Sequence, residues 1–441
     1  MTSVLNSDRL ATQLDRDVEM LRFATAGSVD DGKSTLVGRL LHDSKSVLAD
    51  TLEAVERASR DRGSDGMELA LLTDGLRAER EQGITIDVAY RYFTTARRKF
   101  VLADTPGHVQ YTRNMVTGAS TAELVVILVD ARKGVVEQTR RHLAVAALLG
   151  VRHLLLAVNK MDLVGFDEAA FAAIAADFAA AAEALGIENY VAIPVSALAG
   201  DNVVEPSAAM PWYIGPTLLE HLETVPVGVD AATQLARFPV QYVVRSADYR
   251  GYAGQLASGV LRAGDDVVVL PSGQRTTIVG IDAFEGALDV AHAPQSVTVR
   301  LADELDVGRG DLLVRPGEEP RVVREFDATV CQLSDHGLHA GDRVLLKHTT
   351  RVVKAVVDRV SHRLDIETLA HDTAVDSLSL NEIGGVTLRV AAPLAIDDYA
   401  HDRLTGSFLV IDAHDGQTLA AGLVGDPIAA ARSVGVDGET P

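Results

Sequence analysis

The chain has 441 residues, 47% of them hydrophobic and 23% charged, with a mean hydropathy of +0.12. That length exceeds what one compact core supports, so an ordinary globular protein of two to four domains is expected. A net charge of −21, with both halves acidic, argues against a bulk nucleic-acid binder, and the lone Cys331 excludes an intramolecular disulfide or a multi-cysteine zinc site.

Residues 1–20 are studded with charge and lack an apolar stretch, so they read as a helical lead-in rather than a secretory signal. No apolar run is long enough to span a membrane, and a cytoplasmic protein without membrane partners is expected. Residues 21–227 then alternate short apolar runs with helical stretches, the pattern of parallel βα units. LRFATAG, KFVLADT, ELVVILVDA, HLLLAVNK and YVAIPVSA read as buried strands ending in polar or small-residue loops. The Ala-rich FDEAAFAAIAADFAAAAEALG reads as a helix that stops at Gly186, and MPWYIGPTLLEHLETVPV as a loop, a last helix and an exit linker. Beyond residue 230 come short β-branched runs separated by Gly, Asp and Pro turns, among them QYVVRS, DDVVVLP, TTIVGIDAF, QSVTVRL, DRVLLKH, VVKAVVDRV and VTLRVAA. These predict two small antiparallel barrels, residues 232–322 and 323–425, divided near RPGEEPRVVREF, with 426–441 as a flexible tail. The expected fold is an α/β domain, with the loops described next at its strand ends, followed by two small antiparallel β-barrel domains.

The chemistry sits at the strand ends. Gly27, Ser28, Val29, Asp30, Asp31, Gly32, Lys33, Ser34 and Thr35 spell GxxxxGK[ST] directly after the first strand. Glycines let successive N–H groups converge on phosphate oxygens, and the following helix adds its positive end. Lys33 supplies a compact ammonium and Ser34 a hydroxyl for Mg²⁺. Such a loop arises by chance in roughly 1–2% of chains this long. Asp104-Thr105-Pro106-Gly107-His108 stands at a second strand end, 71 residues after Lys33. Here Asp104 can hold a magnesium-bound water, the Gly107 N–H can meet a phosphate, and His108 can orient attacking water, although a lone histidine is more often a packing residue. Asn159-Lys160-Met161-Asp162 follows the HLLLAV run. Its carboxylate can accept two hydrogen bonds from guanine, where adenine would leave it unpaired. Lys160 can lie across the base, Asn159 can brace the loops, and Ser196-Ala197-Leu198 fits a backbone contact to the guanine carbonyl. Thr85, in Gly83-Ile84-Thr85-Ile86, can add a second hydroxyl to Mg²⁺. Taken alone that tetrad is a mere strand start, but five loops in this order predict a magnesium-dependent P-loop GTPase.

GSVDDGKST, LLTDGLRAEREQGITIDVAYRYF, DTPGHVQYTRNMVTGASTAE and MPWYIGPTLLEHLE resemble the large, GTP-hydrolysing subunit of bacterial sulfate adenylyltransferase, within the elongation-factor class of GTPases. The resemblance covers nearly the whole chain and is most specific in residues 21–220. It implies a heterodimeric partner, the small subunit that binds ATP and sulfate and forms adenosine 5′-phosphosulfate and pyrophosphate, with this chain coupling GTP hydrolysis to that step. It further implies that Lys33 and the loop amides bind phosphates, that Ser34, Thr85 and Asp104 (through water) hold Mg²⁺, and that His108, flanked by Val29 and Ile84, positions the water. Some relatives carry a fused adenylylsulfate kinase, and no second GxxxxGK loop follows residue 35, so that activity is not expected. A tRNA-delivering translation factor would share every GTPase motif, but Asp31 stands where elongation factors usually carry histidine. A non-hydrolysing scaffold would not need His108 and Thr85.

Overall fold

The computed structural model describes residues 19–44, 55, 69, 88–107, 112–187, 189–228 and 234–430. They form two compact units: an α/β unit that closes at Gly228, and a unit that holds both barrels.

The α/β unit is built on a six-stranded sheet. Its strands are β1 (Met20–Ala26), β2 (Ala89–Thr94), β3 (Lys99–Asp104), β4 (Leu124–Asp130), β5 (His153–Asn159) and β6 (Tyr190–Pro194), in the order β2-β3-β1-β4-β5-β6. All neighbours run parallel except β2, which pairs antiparallel with β3. The central strand β4 is buried at every position, as a strand covered on both faces must be. Helices α1 (Lys33–Asp43), α2 (Thr112–Ser120), α3 (Glu137–Leu148), α4 (Glu168–Ala184) and α5 (Leu218–Thr224) complete the unit. The Asp167 carboxylate caps α4 by accepting from the Ala169 and Ala170 N–H groups, and the Thr217 hydroxyl does the same for α5 from Glu220. Leu36, Val37 and Leu40 of α1 join Leu21, Phe23, Leu102, Leu124 and Leu155 in one core, where Phe93 stacks on Phe100 at 4.5 Å. Because β1 lies between β3 and β4, the strand order reverses there, and the crevice at the carboxyl ends of these strands is where such sheets bind ligands.

The second unit contains two closed barrels. The first uses β7 (Phe238–Ser246), β8 (Tyr249–Gln255), β9 (Asp266–Leu270), β10 (Gln274–Ala283), β11 (Ser296–Leu301) and β12 (Leu312–Val314). They run β9-β12-β7-β8-β11-β10 and close by β9–β10 pairing. The second uses β13 (Arg321–Gln332), β14 (Arg343–His348), β15 (Arg351–Leu364), β16 (Ile383–Ile396), β17 (Ser407–Asp412) and β18 (Thr418–Val424). These run β14-β17-β18-β13-β16-β15 and close by β14–β15. Val240, Tyr252, Val269 and Ile281 fill one barrel, Val330, Leu346, Leu388 and Val410 the other. A bidentate ion pair ties the two: the Arg237 guanidinium, 1% exposed, donates from Nε to Asp397 Oδ2 at 2.8 Å and from Nη2 to Oδ1 at 2.9 Å.

The sequence signals for β8, β12, β17 and β18 were weak. Strand β8 carries Gly251 and Gly254, β12 has three residues, and β18 reads TLAAGLV, with small residues where apolar alternation would be sought. The antiparallel edge strand β2 also escaped notice. Of the segment read as a tail, residues 427–430 make a helical turn with Ile428 buried, and 431–441 lie outside the described residues, as do residues 1–18 of the lead-in.

Candidate functional site

Because β1, β3, β4, β5 and β6 run parallel, their following loops emerge at one edge of the sheet. The loop from Gly27 to Gly32 turns on two left-handed residues, Asp30 (φ 68°) and Gly32 (φ 92°). Asp31, 2% exposed, pins it: its Oδ2 accepts the Ser28 N–H at 2.6 Å, while burial pushes its carboxyl above the usual range. Lys33 is buried at the start of α1, and its Nζ donates to Gly27 O at 2.7 Å and Ser28 O at 2.8 Å. Burial draws its ammonium down, against the opposing pull of Asp104, Asp31 and Asp30.

The next loop presses on this one. A Cβ at Gly107 would collide with Lys33 Nζ and lie 2.6 Å from Gly27 O, so only glycine allows the approach. Asp104, 1% exposed, accepts from Thr25 Oγ1 at 2.7 Å, and Thr105 Oγ1 donates to Thr25 O at 2.5 Å. Two hydroxyls are left over: Ser28 Oγ is buried without a partner among the described residues, and that of Ser34, in the first turn of α1, is likewise uncommitted. A buried ammonium, an orphaned hydroxyl and a cradle that a Cβ would fill are the donor set a phosphate needs. Asp104 with the Ser34 hydroxyl is a hard-oxygen set that suits Mg²⁺.

Asn159, at the end of β5 and 1% exposed, joins three loops. Its Nδ2 donates to Asp31 O at 2.7 Å and its Oδ1 accepts the Ala197 N–H at 2.9 Å. Asp162 Oδ1 accepts from Ser196 Oγ at 2.7 Å, which fixes the carboxylate beside the same loop. From below, Arg39 of α1 donates to the carbonyls of Ala197 and Leu198, and the Leu198 side chain stays exposed. Lys160 takes the left-handed conformation (φ 63°), and its ammonium donates to Asp30 O and lies 2.9 Å from Asp130 Oδ2. The Lys33, Asp104, Gly107, Asn159, Lys160, Asp162 and Ser196 positions thus belong to one connected set of loops. His108 and Thr85, with Gly83, Ile84 and Ile86, lie outside the described residues.

Three further residues escaped the sequence reading. Asp130 ends β4 and is buried; burial opposes its charge, but Arg132 and then Lys160 hold it well below the carboxylate range. Arg132 reaches both oxygens, Nε to Oδ1 at 3.0 Å and Nη2 to Oδ2 at 2.6 Å. The signal for Asp130 was available: a carboxylate closing an otherwise apolar strand, LVVILVD, at the ligand edge. His142 of α3 is 1% exposed, its Nδ1 has no partner among the described residues, and burial, then the charges of Lys33 and Arg141, push it down to about 3.

Residues 18–234 match the Elongation factor Tu GTP binding domain, and residues 325–425 match the GTP-eEF1A C-terminal domain-like family. The bifunctional enzyme CysN/CysC of Mycobacterium tuberculosis is 56% identical over 411 residues, spanning 92% of this chain and 67% of that protein. Sulfate adenylyltransferase subunit 1 of Bacteroides fragilis is 50% identical over 94% of this chain and 87% of its own length. The protein of that name from Citrobacter koseri is 51% identical over 93% of this chain and 87% of its own.

Proposed function

The chain belongs to the sulfate adenylyltransferase subunit 1 family, and from that premise we propose how its residues divide the work. It is the GTP-hydrolysing subunit of a sulfate adenylyltransferase, and couples GTP cleavage to the formation of adenosine 5′-phosphosulfate and pyrophosphate from ATP and sulfate. The adenylyl transfer belongs to a small ATP- and sulfate-binding subunit, the partner in a heterodimer. In this reading the protein works in the cytoplasm.

In this reading Lys33 and the amides from Gly27 to Thr35 hold the phosphates of GTP or GDP, with Gly107 closing on them. Ser34, Thr85 and, through water, Asp104 are the groups that would hold Mg²⁺, which supplies positive charge against the phosphate oxygens. His108 orients the water that attacks the γ-phosphorus; the bond to the bridging oxygen breaks, leaving GDP and inorganic phosphate. Asp162 reads the guanine N1–H and 2-amino group, Lys160 covers the base, and the Ser196-Ala197-Leu198 loop meets its carbonyl. The observation that carries the proposal is Asn159, whose amide joins the phosphate loop to the loops assigned to the base.

Mixing the purified chain with the small subunit tests it. GTP turnover should rise when ATP and sulfate are both present, and adenosine 5′-phosphosulfate yield should depend on GTP. Turnover indifferent to both co-substrates, with product yield indifferent to GTP, would refute the coupling.

A further inference from the structure

At one end of the second barrel, three side chains from separate segments converge where no part of the nucleotide reading needs them. His362 lies near the end of β15, His371 on the short strand His371–Asp372 that pairs with it, and Asp426 just after β18. One donor atom from each lies within 4.8 Å of the other two. The imidazoles stack with centroids 4.1 Å apart and planes 13° from parallel. Their neighbour β16 leaves space for this: a Cβ at Gly385 would collide with the His362 ring and the Ser361 hydroxyl, so glycine opposite His362 makes the room the ring occupies. Among the described residues no hydrogen bond or ion pair joins the carboxylate to either ring; Asp426 Oδ1 accepts the Ala429 N–H at 3.0 Å. The Ser361 hydroxyl lies 3.2 Å from His362 Nδ1, and the three clustered groups make no hydrogen bond among themselves.

We propose that His362, His371 and Asp426 form a binding site for a borderline divalent transition-metal ion, typified by Zn²⁺, with water completing its shell. Two imidazoles and a carboxylate suit Zn²⁺, Co²⁺ or Ni²⁺, whereas Mg²⁺ favours oxygen donors, so the site is chemically distinct from the one that serves GTP. Metal–donor distances of about 2.0–2.2 Å put tetrahedral donors roughly 3.3–3.5 Å apart. Donor pairs up to 4.8 Å apart must therefore close by up to roughly 1.5 Å, and one of the stacked rings must turn so that its in-plane lone pair meets the ion; His371, the exposed member, has the freedom to do so. The ion would clip the β15 hairpin to the segment after β18 and stabilise that end of the barrel by mass action.

The test uses the tag-free full chain, stripped with a chelator and then saturated with GDP and Mg²⁺ so that the nucleotide site is filled. Titration with Zn²⁺ by calorimetry should give one ion per chain with a dissociation constant on the order of micromolar or tighter. Co²⁺ should develop visible d–d bands, and Zn²⁺ should raise the unfolding temperature. His371→Ala alters an exposed residue and should leave the fold intact while weakening Zn²⁺ by at least about tenfold; Asp426→Asn should do the same. Absence of Zn²⁺ uptake by the unaltered chain, or equal uptake by both variants, would overturn the site and leave a stacked histidine pair without an ion. GTP turnover is not read here, so neither result bears on the proposed function.

Discussion

Asn159→Ala removes one side chain and leaves two buried partners stranded. The Asp31 carbonyl loses a donor at 2.7 Å and the Ala197 N–H loses an acceptor at 2.9 Å, both where Asn159 is 1% exposed. A buried backbone group left without its partner costs about 1–3 kcal/mol, so the pair amounts to roughly 2–6 kcal/mol. For a domain of this size that lowers the unfolding midpoint by roughly 4–24 °C. Whatever part of the cost nucleotide binding must repair appears as affinity, at about 1.4 kcal/mol per tenfold, so GDP should bind about ten- to several-hundredfold more weakly. Stopped-flow displacement of a fluorescent GDP should show the loss mainly in a faster off-rate, because the phosphate and base loops no longer hold each other. Asn159→Asp keeps an acceptor for Ala197 but sets a carboxylate against the Asp31 carbonyl, and should be no better. The same amide can be pushed from the other side: a Cβ at Gly32 would lie 2.5 Å from Asn159 Nδ2, so Gly32→Ala should weaken GDP as well. Ile214→Ala, an exposed side chain in the loop before α5, is the control. GDP affinity within about threefold of the parent in Asn159→Ala, with an unchanged midpoint, would refute the idea that this residue binds the loops together.

Lys33→Ala should abolish nucleotide binding, since among the described residues no other ammonium bonds the Gly27 and Ser28 carbonyls; unchanged affinity in a titration refutes the phosphate role. Asp162→Asn should shift preference from GTP to xanthosine triphosphate, whose 2-oxo group accepts a donor, and a competition that still favours GTP counts against base reading by Asp162. His108→Ala should spare GTP affinity and slow hydrolysis by roughly two orders of magnitude or more, a reading that normal single-turnover rates would end. His142 is held neutral down to about pH 3, whereas in the unfolded chain it takes up a proton near 6.5. The unfolded state then binds more protons, so its contribution to stability is intact above pH 6.5 and declines as pH falls, by about 2 kcal/mol at pH 5. Denaturant unfolding of His142→Gln should flatten that slope; an unaltered pH profile would show that another group causes it.

How much of this was legible in the sequence depended on what each residue does. Lys33, Asp104, Asn159 and Asp162 stand in short patterns because the partners proposed for them, phosphate, magnesium and base, demand fixed residue types at strand ends. Parallel strands such as LVVILVD announced themselves as apolar runs, since both faces are covered. Asp130 shows in the sequence only as a carboxylate closing an apolar strand, and its grip on Lys160, like the effect of Lys33 on His142, comes from tertiary neighbours that no short pattern records. The same holds for His362, His371 and Asp426, whose spacing in the chain matches no pattern until barrel closure sets β15 beside β16 and brings the end of β18 round.

The hidden residues change how base selection is understood. A lysine that covers a base by its side chain alone would be floppy, and holding it costs about 2 kcal/mol of rotamer freedom. Here the Lys160 ammonium is fixed between Asp130 Oδ2 and the Asp30 carbonyl of the phosphate loop, while Arg132 donates to both oxygens of Asp130. Part of that entropy is therefore lost on folding rather than on binding, which pre-organises the base side of the pocket. On the proposed assignment the arrangement would also couple the two ends of the nucleotide, because the Lys160 ammonium is bonded to the Asp30 carbonyl. Asp130→Asn keeps the shape of the side chain but weakens the hold on both cations, so it should raise the Kd for guanosine and for GDP together. If GDP weakens while guanosine does not, Asp130 serves the phosphate loop alone and the pre-organisation argument fails.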